Sequence, residues 1–130
     1  MVNRMPGRPH RGFTLIELMA VMVIMALLLS VAAPRFVGTV DRGKEVVLKE
    51  NLLAMRAAID QYHADRQKYP DSLDELVALR YLRRAPIDPV TDSDRGWKVI
   101  APAVAGAGAV FDIRSGAPGA ASDGSRYADW

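Results

Sequence analysis

One carboxylate stands where a carboxylate is expensive. From Phe13 to Ala33 the chain runs for 21 residues in which only Thr14, Glu17 and Ser30 are polar. An acid at bilayer depth costs about 2.5–3.5 kcal/mol near a helix centre, less near an end, and is normally paired. The nearest turn neighbours of Glu17 are Thr14, Leu18 and Val21, and none is cationic. A cut between Gly12 and Phe13 would create an amino group four residues before Glu17. That cation could pair with Glu17 of an adjacent copy, removing the desolvation cost only on assembly. The chemistry in view is therefore done to this chain, or between its copies.

Chemistry done by the chain finds no support in the residues. There is no base beside a nucleophile, no glycine-rich phosphate loop between strand and helix, and no histidine pair at helical spacing. Cysteine is absent, which excludes disulfides, thiolate metal sites and thiol nucleophiles. His63 has no second histidine nearby and reads as a surface helix residue. Asp71, Asp74 and Glu75 are acids in the first turn of a helix, where the dipole favours negative charge.

The elements that position Glu17 follow from pattern. A helix of 21 residues spans about 30 Å, the thickness of a bilayer core. Arg4, Arg8 and Arg11 on its N-terminal flank favour a cytoplasmic N-terminus, with the body of the chain outside the cytoplasm. A cleaved secretory signal, ending at Val31-Ala32-Ala33, would place Pro34 directly after the cut and has too long an apolar run. A plain signal anchor fits the length but leaves Glu17 without a reason. Beyond Pro34, the residues Leu48, Leu52, Met55, Ile59 and Tyr62 recur at 4, 3, 4, 3 and make one face of a helix. The expectation is a single helix from about Phe13 to about Asp65, bent near Pro34 and loosened at Gly38 and Gly43.

Tyr69-Pro70 should end that helix. Ser72 and Glu75 have the spacing of a capping box, which predicts a short helix from Leu73 to about Leu79. Trp97–Ala101 and Val110–Ile113 read as short strands joined by an Ala- and Gly-rich connection over 102–108. Two strands alone are marginal. Packed on the long helix they would close a small core through Trp97, Val99, Val110 and Ile113 or Phe111. The fold class is α+β.

Charge narrows the partners. Of 17 basic residues, three lie in residues 1–12, leaving 14 against 15 acidic side chains. No basic excess remains for a nucleic acid to read. At 130 residues there is room for one small head beside the apolar segment.

Arg11-Gly12-Phe13-Thr14-Leu15-Ile16-Glu17 resembles the cleavage and methylation motif of type IV pilins and type II secretion pseudopilins. Pro34 falls where those families have a helix-kinking proline. Tyr69-Pro70-Asp71-Ser72-Leu73 and Pro86-Ile87-Asp88-Pro89 resemble the major pseudopilin family of type II secretion in particular. The resemblance implies a basic leader at 1–12, a transmembrane and filament-core helix at 13–34, and an amphipathic helix with a periplasmic head at 35–130. It implies cleavage after Gly12 and N-methylation of Phe13 by a prepilin peptidase, and assembly through Glu17 and Pro34. The implied function is that of a structural subunit of a periplasmic filament that drives protein export. Further copies of the chain, an inner-membrane assembly platform and minor pseudopilins are its implied partners. A type IV pilin is the alternative within the class, although such pilins often have a larger head with a disulfide. A membrane-anchored periplasmic binding module is the alternative outside it.

Pseudopilin relatives bind calcium in the C-terminal loop, which implies a calcium site here at Ser115, Asp123 and Asp129. Ser122 is a further oxygen donor in that loop. The pattern departs from theirs at Ser115-Gly116-Ala117-Pro118-Gly119, where an acid is missing. A metal-free loop pinned by Tyr127 and Trp130 is the other reading.

Overall fold

The apolar run and the stripe beyond it form one helix. In the computed structural model, which describes Gly7 and residues 11–130, α1 spans Leu15–Arg66. The expected leader lies for the most part outside the described residues. α1 runs without interruption through Pro34, Gly38 and Gly43. The expected loosening at the two glycines is not found. A glycine inside a helix costs only about 1 kcal/mol relative to alanine, too little to open a run continuous on both sides. Pro34 supplies no N–H, so the Ser30 carbonyl lacks its usual helical donor. The helix stops without a glycine: Gln67 takes φ 56° and donates its N–H to the His63 carbonyl at 2.8 Å.

The chain divides into two units, Met1–Val37 and Gly38–Trp130. In the first, every large apolar side chain from Phe13 to Val31 is more than half exposed. Among the described residues nothing covers this apolar surface.

In the second unit the distal half of α1 supplies one wall of a core. Leu48, Leu52, Met55, Ile59 and Tyr62 are all buried, as the 4, 3, 4, 3 spacing requires. Facing them are Leu76 of α2 (Leu73–Ala78), Trp97, Val110, Ile113 and Tyr127. Ser72 caps α2 by accepting the Glu75 N–H at 3.2 Å. The Glu75 carboxylate in turn accepts the Asp71 N–H and the Tyr62 hydroxyl, each at 2.7 Å. The cap thereby ties the short helix to the long one.

β1 (Lys98–Ile100) and β2 (Asp112–Arg114) form a two-stranded antiparallel sheet in which Val99 faces Ile113. The second strand begins two residues later than its β-branched run suggests. The amides of Ala109 and Val110 are spent on the Pro70 carbonyl, at 3.1 and 2.9 Å, so that stretch cannot pair with β1. Tyr69 N–H donates to the Ala107 carbonyl at 2.8 Å in the same crossing. Gly108 makes the crossing possible: it has φ +107°, and a Cβ there would collide with the Tyr69 backbone. Val99, expected as core, is half exposed, whereas Trp97 and Val110 are buried; of the two alternatives Ile113 and Phe111, it is Ile113 that is buried and Phe111 that is half exposed. Phe111 packs edge-on against Tyr69, with ring centroids 5.2 Å apart, at the margin of the core.

Candidate assembly and processing site

The start of α1 is built by two side chains that cap one another. The Thr14 backbone N–H donates to Glu17 Oε2 at 3.0 Å, and the Thr14 hydroxyl lies 3.2 Å from the same oxygen. The Glu17 N–H reaches Thr14 Oγ1 at 3.3 Å. This is a capping box, with threonine at the N-cap and glutamate three residues later. It gives the helix a defined first turn at Leu15, two residues after the expected start. It also gives Glu17 an intrachain role, which a plain membrane anchor had seemed to lack. The spacing Thr14-x-x-Glu17 is visible in the sequence, as the same spacing at Ser72-x-x-Glu75 is.

Both bonds that Glu17 accepts fall on Oε2. Among the described residues no cation pairs with this carboxylate, and Oε1 has no hydrogen bond. One oxygen therefore holds the helix start while the other is available to a further donor.

Immediately before the box, Phe13 is 93% exposed. Among the described residues nothing lies within 4 Å of where a Cβ on Gly12 would stand. The Gly12–Phe13 bond is thus open to approach from outside. Glu17 lines a shallow apolar groove with Phe13, Leu18, Ala20, Val21 and Ile24, which places the carboxylate beside an unfilled helix face. Pro34 lies inside α1 beyond this groove and does not share its lining.

The residues expected to hold calcium are each engaged with another partner. Ser115 is fully buried, donates from Oγ to Asp88 Oδ2 at 3.0 Å and accepts the Ala117 N–H at 3.1 Å. Asp123 turns back on its own loop, accepting the Ser125 hydroxyl at 2.6 Å and the Ser125 N–H at 2.9 Å. Asp129 is exposed and lies 3.5 Å from Arg126. Among the described residues no group of three or more His, Asp or Glu side chains is placed for a metal. Calcium takes six to eight oxygens, and this donor set does not fit it.

Two carboxylates outside the motif carry the head instead. Asp88, fully buried, accepts the Val90 and Thr91 N–H groups at 2.8 and 3.3 Å besides the Ser115 hydroxyl. Glu45, on α1, holds the C-terminal loop. Its sequence signal is that it lies three residues before Leu48 and so extends the buried stripe by one turn. His63 is half-buried, stacked on Tyr69 with centroids 4.2 Å apart, and is less of a surface residue than expected.

The family described as the prokaryotic N-terminal methylation motif matches residues 7–33. The type II secretion system core protein G of Pseudomonas aeruginosa is 34% identical over 101 residues, covering 65% of this chain and 71% of that protein. This chain belongs to the type II secretion system core protein G family. Its counterpart in Klebsiella michiganensis is 33% identical over 101 residues with the same coverage. That of Vibrio cholerae is 27% identical over 139 residues, covering 95% of this chain and 93% of the relative. No solved structure matches the chain. The capped helix start at Thr14–Glu17 and the open Gly12–Phe13 bond lie within the matched methylation motif. The head, with its Glu45 and Asp88 contacts, lies beyond it.

Proposed function

We propose that this chain is a structural subunit of a periplasmic pseudopilus that drives protein export through a type II secretion system. The leader at 1–12 is removed by a prepilin peptidase, and Phe13 becomes the N-methylated first residue. Before assembly the helix holds the subunit in the inner membrane, with the N-terminus cytoplasmic and the head periplasmic. Copies then stack through their apolar helices on an inner-membrane platform together with minor pseudopilins. The subunit acts by burial and pairing, and no bond chemistry is assigned to it.

The observation that carries this reading is the helix start: an exposed Gly12–Phe13 bond, then a carboxylate with one oxygen occupied and one open, on a helix whose apolar side chains are left uncovered among the described residues. Lipid tails are as apolar as neighbouring helices, so transfer of the helix from membrane to filament changes little in apolar burial. Glu17 differs between the two environments. In lipid its open oxygen lacks a cation; in the filament the processed amine of a neighbour supplies one. That pairing gives the transfer a direction. Pro34 frees the Ser30 carbonyl, a local weak point where the helix can adjust as subunits pack.

The test is production of the chain in cells that carry the secretion platform and peptidase, followed by shearing. Filaments containing this subunit support the reading. A chain that stays monomeric in the membrane under those conditions overturns it and favours a tethered module.

A further inference from the structure

The C-terminal loop is shaped as though something must hold it. From Ala117 to Trp130 it contains one 3₁₀ turn (Tyr127–Asp129) and an isolated bridge between Ala120 and Arg126, and otherwise no regular structure. Its tip is a tight turn in which Ala121 N–H donates to the Ser125 carbonyl at 2.7 Å and Gly124 takes φ +86°. Yet Ala117, Ala121 and Tyr127 are buried against the core. Loops of this composition keep such burial only when their ends or tips are tied down.

The tie is Glu45. Its Oε1 accepts the Ser122 N–H at 2.7 Å and the Tyr127 hydroxyl at 3.3 Å, and its Oε2 accepts the Ser122 hydroxyl at 2.6 Å. These contacts bridge 77 and 82 residues of chain. Glu45 is 9% exposed and, among the described residues, makes no salt bridge; its charge is met by loop donors. One turn further along α1, Lys49 places its ammonium 4.2 Å from the centre of the Trp130 ring, and Trp130 donates from Nε1 to Ser125 Oγ at 2.8 Å. The tip and the C-terminal end of the loop are therefore fastened to two residues one helical turn apart.

A cation would organise this loop in the opposite sense, by drawing its oxygens inward. Here the loop turns N–H and O–H groups toward a negative charge on the helix. The Ser122 hydroxyl is spent on Glu45, Asp123 on Ser125, and Ser115 on Asp88. We infer that Glu45 takes the place of calcium as the device that closes the C-terminal loop in this chain, so that the loop is ordered without a metal. The inference concerns the isolated subunit and stands apart from the filament reading.

The test is hydrogen exchange on the full-length chain in detergent, following peptides from 115–130 in excess EGTA and in millimolar calcium chloride. The wild-type loop is expected to show the same protection in both. Glu45→Ala is expected to speed exchange in 115–130 by roughly tenfold in both buffers, because hydrogen bonds to a charged group are lost, while peptides from 73–100 stay protected. Ser122→Ala, which removes only a hydroxyl, should give a smaller acceleration in the same peptides and keeps the test valid if Glu45→Ala fails to fold. Loss of wild-type protection in EGTA, saturable terbium luminescence sensitised by Tyr127 or Trp130, or variants whose loops exchange like wild type would each overturn the inference.

Discussion

Thr14 and Glu17 cap each other at the first turn of a helix whose next sixteen residues carry only one further polar side chain, Ser30. The relationship separates two jobs of one carboxylate. Its shape starts the helix, and its charge is left for a neighbour.

The two jobs can be pulled apart by substitution. Glu17→Gln keeps a carbonyl oxygen for the Thr14 N–H but has no charge, whereas Glu17→Leu loses both. If pairing with a processed amine drives assembly, both variants should be cleaved and both should fail to form filaments. Filaments from Glu17→Gln, measured by shearing and immunoblot, would reduce Glu17 to a cap. Thr14→Ala should cost about 0.5–2 kcal/mol at the helix start and impair assembly less than either.

The head should be sensitive along one face of α1 and indifferent along another. Ile59 is 1% exposed and Leu53 is 66% exposed. Ile59→Ala should destabilise the head by about 2–5 kcal/mol, and Leu53→Ala by no more than about 0.5 kcal/mol. Denaturant unfolding in detergent, monitored by tryptophan fluorescence, distinguishes the two. Equal losses would contradict the packing described.

Glycines in the head should rank by what surrounds them. Gly108 and Gly119 both have positive φ, but only Gly108 faces a backbone, that of Tyr69. Both alanine variants should destabilise, Gly108→Ala by clearly more than about 1 kcal/mol. A larger loss from Gly119→Ala would contradict the crossing of residues 107–110 over Tyr69 and Pro70.

The head should lose stability in acid. The Ser122 hydroxyl, and next the Ser122 N–H, hold Glu45 below its ordinary value despite burial. The Asp71 N–H, followed by the Tyr62 hydroxyl, lowers Glu75, and the Ser125 hydroxyl and N–H lower Asp123. A depressed carboxylate contributes stability that is fully present above its unfolded value, about 4.5 for these glutamates. That contribution is lost as pH falls through the lower folded value. Thermal melts should therefore be flat for these groups above about pH 5 and fall below about pH 4. Glu75→Gln should shrink the acid-dependent part; an unchanged acid slope would contradict the assigned role.

Much of this was legible in the sequence because it rests on periodicity. The apolar run, the stripe from Leu48 to Tyr62, the short helix after Ser72 and the two strands all follow from spacing that physics reads locally. What escaped depended on contacts between distant segments. Glu45 extends the stripe by one turn, but a carboxylate on an apolar face reads as an interruption until Ser122 and Tyr127 are seen to meet it. The second strand starts late because Pro70, some forty residues earlier in the chain, takes the amides of Ala109 and Val110. The cap at Thr14 is local, and its spacing, Thr14-x-x-Glu17, is legible in the sequence. The calcium donors were carried by resemblance, and the missing acid near Pro118 was the local sign against them.

The most direct measurement is the intact mass and N-terminal residue of the chain purified from membranes of cells that contain a prepilin peptidase. The expected result is a chain that begins at an N-methylated Phe13. A chain that still begins at Met1 would contradict the filament role, because Glu17 would then have no processed amine to meet.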